Sequence, residues 1–354
     1  RARPGPSHSR PPTPAARPFP QLGVAAGPWG GVMTANDRVL LIKAKGGFGN
    51  RMLSAATGVV LASLTQREAI IDWRDGDYLA VGENAYPLLF EDPAAHPPEL
   101  FDHCTDVAPA VWSGELDRHP YDLMNERFPD DHSNPFIYRR LSVDLAHPDV
   151  EPAVAVFWSY LPKMARLRRR ARRSSRFRDM SSDDMTRWAL QRYFRPRDRI
   201  RTAAGDVIAA HAGPVIGVHI RYTDRKVSLG RIYREVTALR ARMPAATIFL
   251  ATDNATVQNE FRDRFDGVFV IEKELGDDGS PLHDRVELPD RLLEAENALM
   301  DMFALSSCDW LVHSRHSTFS VAAALIGGIP KSRQRDIDRS NPRVVVKRWI
   351  QAWT

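Results

Sequence analysis

The chain has 354 residues, 43% of them hydrophobic, with a formal net charge of +5. That length supports one large or two medium domains with proper cores, and two cysteines, Cys104 and Cys308, are too few for a disulfide framework or a cysteine metal site. No apolar run nears the roughly 20 residues of a membrane helix, and no charged-then-apolar leader opens the chain.

The positive charge is local. Residues 1–35 are rich in Pro, Gly, Ala and Arg, contain no acid, and lack periodicity. Such a segment buries too little surface to offset its ordering entropy, so we expect a disordered arm outside the fold, with Met33 just ahead of the first strand. The arm carries Arg1, Arg3, Arg10 and Arg17, and Arg166 to Arg178 contains eight arginines. Without these two segments the charge is about −7. The arginine run reads first as a solvated face or linker and second as a contact for an anionic acceptor or membrane surface. Nucleic acid is the least favoured partner, because no aromatic interleaving accompanies the run. The thiols are those expected of a reducing cytoplasm. The expected location is cytoplasmic, with attachment to the inner membrane face as the alternative.

In chain order, residues 39–42 form the first predicted strand. The turn "GGFGN" follows, and then a helix capped by Asn50, with Leu53, Ala56, Val60 and Leu64 at helical spacing. Residues 69–73 complete a βαβ unit, which implies parallel pairing and a right-handed crossover. Residues 76–150 are rich in Pro, Asp and His and show few regular elements. A buried strand is expected at 153–160, and "SSDDMTRWALQRYF" reads as a helix with a Ser/Asp start. The second half alternates cleanly. Strands are predicted at 214–220, 246–253, 268–271 and over "DWLVHS", and helices at 229–242, 255–265, 289–306 and from Thr318. This pattern predicts an α/β protein of two Rossmann-like, doubly wound domains facing a cleft. We expect an N-terminal α/β domain over 36–205, a second Rossmann-like domain over 206–335, and a tail over 336–354.

Ligands of open α/β sheets sit at the carboxyl ends of strands. The strand at 214–220 ends in His219 and Arg221, and the next in Thr252 and Asp253. "DWLVHS" leads to Ser314, Arg315, His316, Ser317, Thr318 and Ser320. An arginine fork matches phosphate oxygens, and hydroxyls with free N–H groups at a helix start make an anion site. A carboxylate such as Asp253 accepts the paired donors of a guanine edge. The set suits a nucleoside diphosphate. The plainer readings are that Ser317 and Thr318 cap one helix and Asp253 another. "GGFGN" lacks the Lys-Ser/Thr of a phosphate loop, so it is either a tight corner or a close backbone approach to the diphosphate.

"GGFGNRMLSAATG", "AIIDWRDGDYL", "NAYPLLFEDP", "IGVHIRYTD", "IFLATD" and "SRHSTFS" resemble, in that order, motifs of the α1,6-fucosyltransferases, with the rhizobial nodulation enzymes nearest. The likeness spans roughly residues 38–330. It implies a GT-B fold, GDP-β-L-fucose as donor, a sugar acceptor within an oligosaccharide or glycoconjugate, and inversion without a metal. By the same resemblance, Arg221 neutralises the leaving GDP and His219 and Asp253 contact guanine. Ser317, Thr318 and Ser320 cradle phosphates, and Gly47, Gly49 and Asn50 complete the donor site. Tyr222 stands where relatives carry a second basic residue, and Val227, Ser228, Leu229 and Gly230 occupy the place of a later carboxylate. Asp224 is then the nearest candidate base, or a partner fixing Arg221 or Arg225. Asp72, Arg74 and Asp75 are the acceptor-side candidates.

Overall fold

The computed structural model describes residues 38–129, 136–222, 227–273 and 290–353. Two parallel sheets organise them. In the first half, β1 (Val39–Lys43) leads through α1 (Phe48–Leu64) to β2 (Glu68–Asp72). The region after β2 holds short elements only: α2 (Tyr86–Leu89), the two-residue β3 (Val107–Ala108) and α3 (Pro120–Arg127). Next come β4 (Val154–Trp158), α4 (Met164–Ala171), α5 (Ser182–Tyr193) and α6 (Asp198–Ala209). The strand order is β2-β1-β4-β3, all parallel, with β1 at the centre. The middles of its three long strands are apolar and buried, as strands covered on both faces must be.

The second half runs β5 (Val215–Ile220), α7 (Leu229–Arg242), β6 (Thr247–Thr252), α8 (Ala255–Arg264) and β7 (Val268–Phe269). It continues with α9 (Arg291–Ser307), β8 (Trp310–His313), α10 (Thr318–Ile326), β9 (Gln334–Asp336) and α11 (Pro342–Trp353). The order β7-β6-β5-β8-β9 is parallel throughout. Direction reverses between β5 and β8, so a crevice opens where their carboxyl ends diverge.

Several sequence expectations shift in detail. Asn50 does not cap α1: the cap position is Gly47, and Asn50 lies inside the first turn. The Ser/Asp start of α5 is a full capping box, in which Ser181 and Asp184 bond each other's backbone N–H. The arginine run begins as α4, anchored by buried Met164, Leu167 and Ala171. The expected tail contains α11, and β9 straddles the expected boundary at 335/336. No helix among the described residues is long and apolar enough to cross a membrane.

Helices bridge the two sheets. α1 packs on α5 and α10, and α6 packs on α9. The tightest point is Gly49, where an added Cβ would lie 2.2 Å from the backbone nitrogen of Phe319. Only glycine lets the starts of α1 and α10 meet at this spacing.

Candidate functional site

A cleft lies between the carboxyl ends of the two sheets. The first half contributes the β1–α1 turn, with Gly47, Gly49 and Asn50, and the loop bearing Asp77 and Tyr78. The second half contributes His219 and Arg221 after β5, Thr252 and Asp253 after β6, and Thr318 and Phe319 at the start of α10. Eight residues singled out from the sequence therefore share one hollow: Gly47, Gly49, Asn50, His219, Arg221, Thr252, Asp253 and Thr318.

Their local bonds refine what each can do. The close backbone approach at Gly49 is to α10, whose start it brings to the cleft. Thr318 Oγ1 donates to Asn50 Oδ1 at 2.7 Å, tying the two halves across the cleft. A second tie comes from Arg291, at the start of α9, whose Nη1 donates to the Gly76 carbonyl at 2.9 Å. Ser317 occupies the cap position of α10, but its hydroxyl makes no capping bond. That oxygen is buried and has no hydrogen-bond partner among the described residues. A buried unsatisfied hydroxyl is costly, so its presence at a helix start is informative. Ser320 is fully buried and bonded to His313 Nδ1 at 3.2 Å and to the Ser317 carbonyl at 3.2 Å. It braces the β8–α10 turn from inside.

Asp253 does not cap α8. Asn254 does, accepting the N–H of Val257 at 2.9 Å. Asp253 Oδ1 instead accepts the N–H of Tyr222 at 2.7 Å, locking the chain just beyond Arg221 to the neighbouring strand end. Thr252 Oγ1 accepts the N–H of Asn254. His219 stacks on Phe319, with centroids 5.0 Å apart and planes 20° apart. Burial, then the Arg221 cation, push its pKa down to about 3, so the imidazole is neutral at pH 7. Asp224 falls outside the described residues.

None of the three acceptor-side candidates lines the cleft. Asp72 is buried between Lys43 Nζ at 2.7 Å and Arg74 Nε at 2.9 Å, and Arg74 reaches on to Asp102 at 2.8 Å. Burial works against the Asp72 charge, but its two cationic neighbours prevail and hold its pKa down to about 2. Asp75 pairs with Arg51 at 3.0 Å. Arg51 is itself almost wholly buried, between the rings of Trp73 and Tyr78, and also binds Asp77 and the Gly46 carbonyl. Of the "DGD" carboxylates, Asp77 is the one that lines the cleft.

Sequence reading missed one pair altogether. Lys273, after β7, and Asp301, on α9, form a buried ion pair that also lines the cleft. Asp301 Oδ1 has no hydrogen-bond partner among the described residues. Burial raises the pKa of this carboxyl, against the opposing pull of Lys273. The only available signal was an acid interrupting the apolar face of a helix.

Two parallel Rossmann-type sheets with a cleft between their carboxyl edges define a fold of the GT-B type. The family profile of Nodulation protein Z (NodZ) matches residues 167–348, and the chain belongs to that family. It is 25% identical over 313 residues to nodulation protein Z of Bradyrhizobium diazoefficiens, an alignment covering 79% of this chain and 76% of that protein. The crystal structure of fucosyltransferase NodZ from Bradyrhizobium superposes with a TM-score of 0.56 at 22% identity, covering 82% of this chain and 93% of its own. NodZ α-1,6-fucosyltransferase soaked with GDP-fucose gives the same values.

Proposed function

We propose that this protein transfers fucose from GDP-β-L-fucose to a sugar hydroxyl, forming an α1,6 linkage to an N-acetylglucosamine-type unit of an oligosaccharide or glycoconjugate. The observation that carries the reading is the convergence of Arg221, Asp253 and the start of α10 on one hollow with the glycine turn of the other half. Membership of the NodZ family and the likeness to a structure soaked with GDP-fucose support it.

The reaction breaks the bond between the fucose anomeric carbon and a β-phosphate oxygen. The acceptor oxygen forms the new bond from the opposite face, and its proton passes to a base. The negative charge that develops on GDP is the principal barrier. In this reading Arg221 takes up that charge, and the N–H groups at the start of α10 hold the diphosphate. No metal is required for this role. Neutral His219 serves as a hydrogen-bonding and stacking group and leaves proton transfer to a carboxylate. Asp224 is the proposed base, and Asp77 is the described carboxylate facing the cleft from the acceptor side. Asp253 is placed toward guanine in this reading while it fixes the segment next to Arg221.

A melting panel with GDP, GDP-fucose, GDP-mannose, UDP and ADP tests the donor site. Saturating guanosine ligands should raise the melting temperature by several degrees, since binding to the native state alone adds stability. Equal response to UDP and ADP would contradict the guanine assignment. Linkage analysis of the product tests the acceptor position.

A further inference from the structure

The far end of the chain carries a surface that the transfer reaction does not use. α11 exposes Val345, Val346, Trp349 and Ile350 at 42%, 54%, 67% and 47% of their full areas. These positions fall at i, i+1, i+4 and i+5, so they form one stripe along the helix. Val344, on another side, is buried and helps seat the helix. A contiguous apolar stripe with an exposed tryptophan is unfavourable in water and marks an interaction surface.

What lies beside the stripe identifies the partner. α11 packs against α4, the arginine helix. Three arginines there are tied down: Arg166 and Arg170 pair with Asp144 and Asp149, and Arg168 bonds the Met180 carbonyl. Arg169, Arg172, Arg173 and Arg178 are exposed. The sequence of α11 adds Arg343, Lys347 and Arg348. An apolar stripe with a tryptophan, flanked by concentrated positive charge, matches the two layers of an anionic bilayer: acyl chains and headgroup phosphates. A nucleic acid would use the arginines and leave the stripe in water.

We propose that α11 and α4 together dock this protein on an anionic lipid surface. The stripe enters the interface and the arginines engage the headgroups. Neither signal suffices alone, since a helix of 12 residues buries little and surface charge is screened by salt. The docking surface is separate from the donor cleft and stands independently of the proposed fucosyl transfer.

The test is sedimentation of the full chain with phosphatidylcholine vesicles, with and without phosphatidylglycerol. The protein should pellet with the anionic vesicles and stay soluble with the neutral ones. Trp349→Glu with Ile350→Glu should lower the partition coefficient at least about tenfold. Arg172→Glu with Arg173→Glu should also weaken it, and added salt should weaken the wild type. A cooperative melting transition at the wild-type temperature shows that each variant is folded. No pelleting at low salt, or equal pelleting of the Trp349/Ile350 variant, would overturn the proposal. So would a dimer that this variant converts to a monomer, or retention of duplex DNA in place of vesicles.

Discussion

Both sheets end in charge at their carboxyl edges, yet the two edges are built differently. After β2, Asp72, Arg74 and Asp75 bind other side chains in closed networks with Lys43, Arg51 and Asp102. After β5 and β6, His219, Arg221, Thr252 and Asp253 stand around a hollow. The first edge is a scaffold that fixes the cleft wall, because Arg51 holds the loop that presents Asp77 and Tyr78. In the proposed function the second edge is the one that meets the ligand.

Substitutions on each side should separate the two roles. The largest effect is expected from Arg221→Ala, which should lower the transfer rate about a thousandfold, or about 4 kcal/mol of barrier, with little change in melting. Near-normal turnover would remove Arg221 from the reaction. Arg51→Met should do the reverse. It strands Asp75 without its buried partner and should cost about 3 kcal/mol of stability, read by denaturant unfolding. If Arg51→Met leaves stability intact and abolishes only transfer, the scaffold reading of the first edge fails.

Gly49→Ala probes the contact between the halves. Its methyl group would meet the Phe319 backbone, and we expect a loss of about 2 kcal/mol together with weaker GDP binding. His219 gives a pH test. Its native pKa of about 3 lies below the unfolded value of 6.5, so the unfolded chain binds the extra proton between those limits. Stability should therefore fall as pH drops through that window, by at most about 1.4 kcal/mol per unit, and His219→Gln should flatten the slope. The smallest effect is expected from Thr318→Val, which removes one hydrogen bond across the cleft and should cost about 1 kcal/mol in unfolding or GDP titration.

Much of the second half was legible because parallel buried strands are unbroken apolar runs and their helices carry clear stripes. Helix 229–242 was read with its observed bounds. β9 was invisible, since Gln334–Asp336 has no strand pattern and is ordered by pairing with β8. α6 and α11 were missed as well. The eight cleft residues were legible as strand-end and turn signatures. Their partners were not. Asn50 and Thr318 are 268 positions apart, and Arg291 lies 215 from Gly76. Nor does local sequence reveal that Asp72 is sealed beside Lys43, or that Lys273 and Asp301 share the cleft floor. Such pairings are set by how the sheets stack, and the chain order carries no local trace of them.

The most direct check is a crystal structure with GDP bound. The account predicts the diphosphate within hydrogen-bond reach of the Arg221 guanidinium and the backbone N–H groups at the start of α10, with guanine toward Asp253. A nucleotide seated elsewhere, or phosphates facing the Asp72 and Asp75 networks, would contradict it.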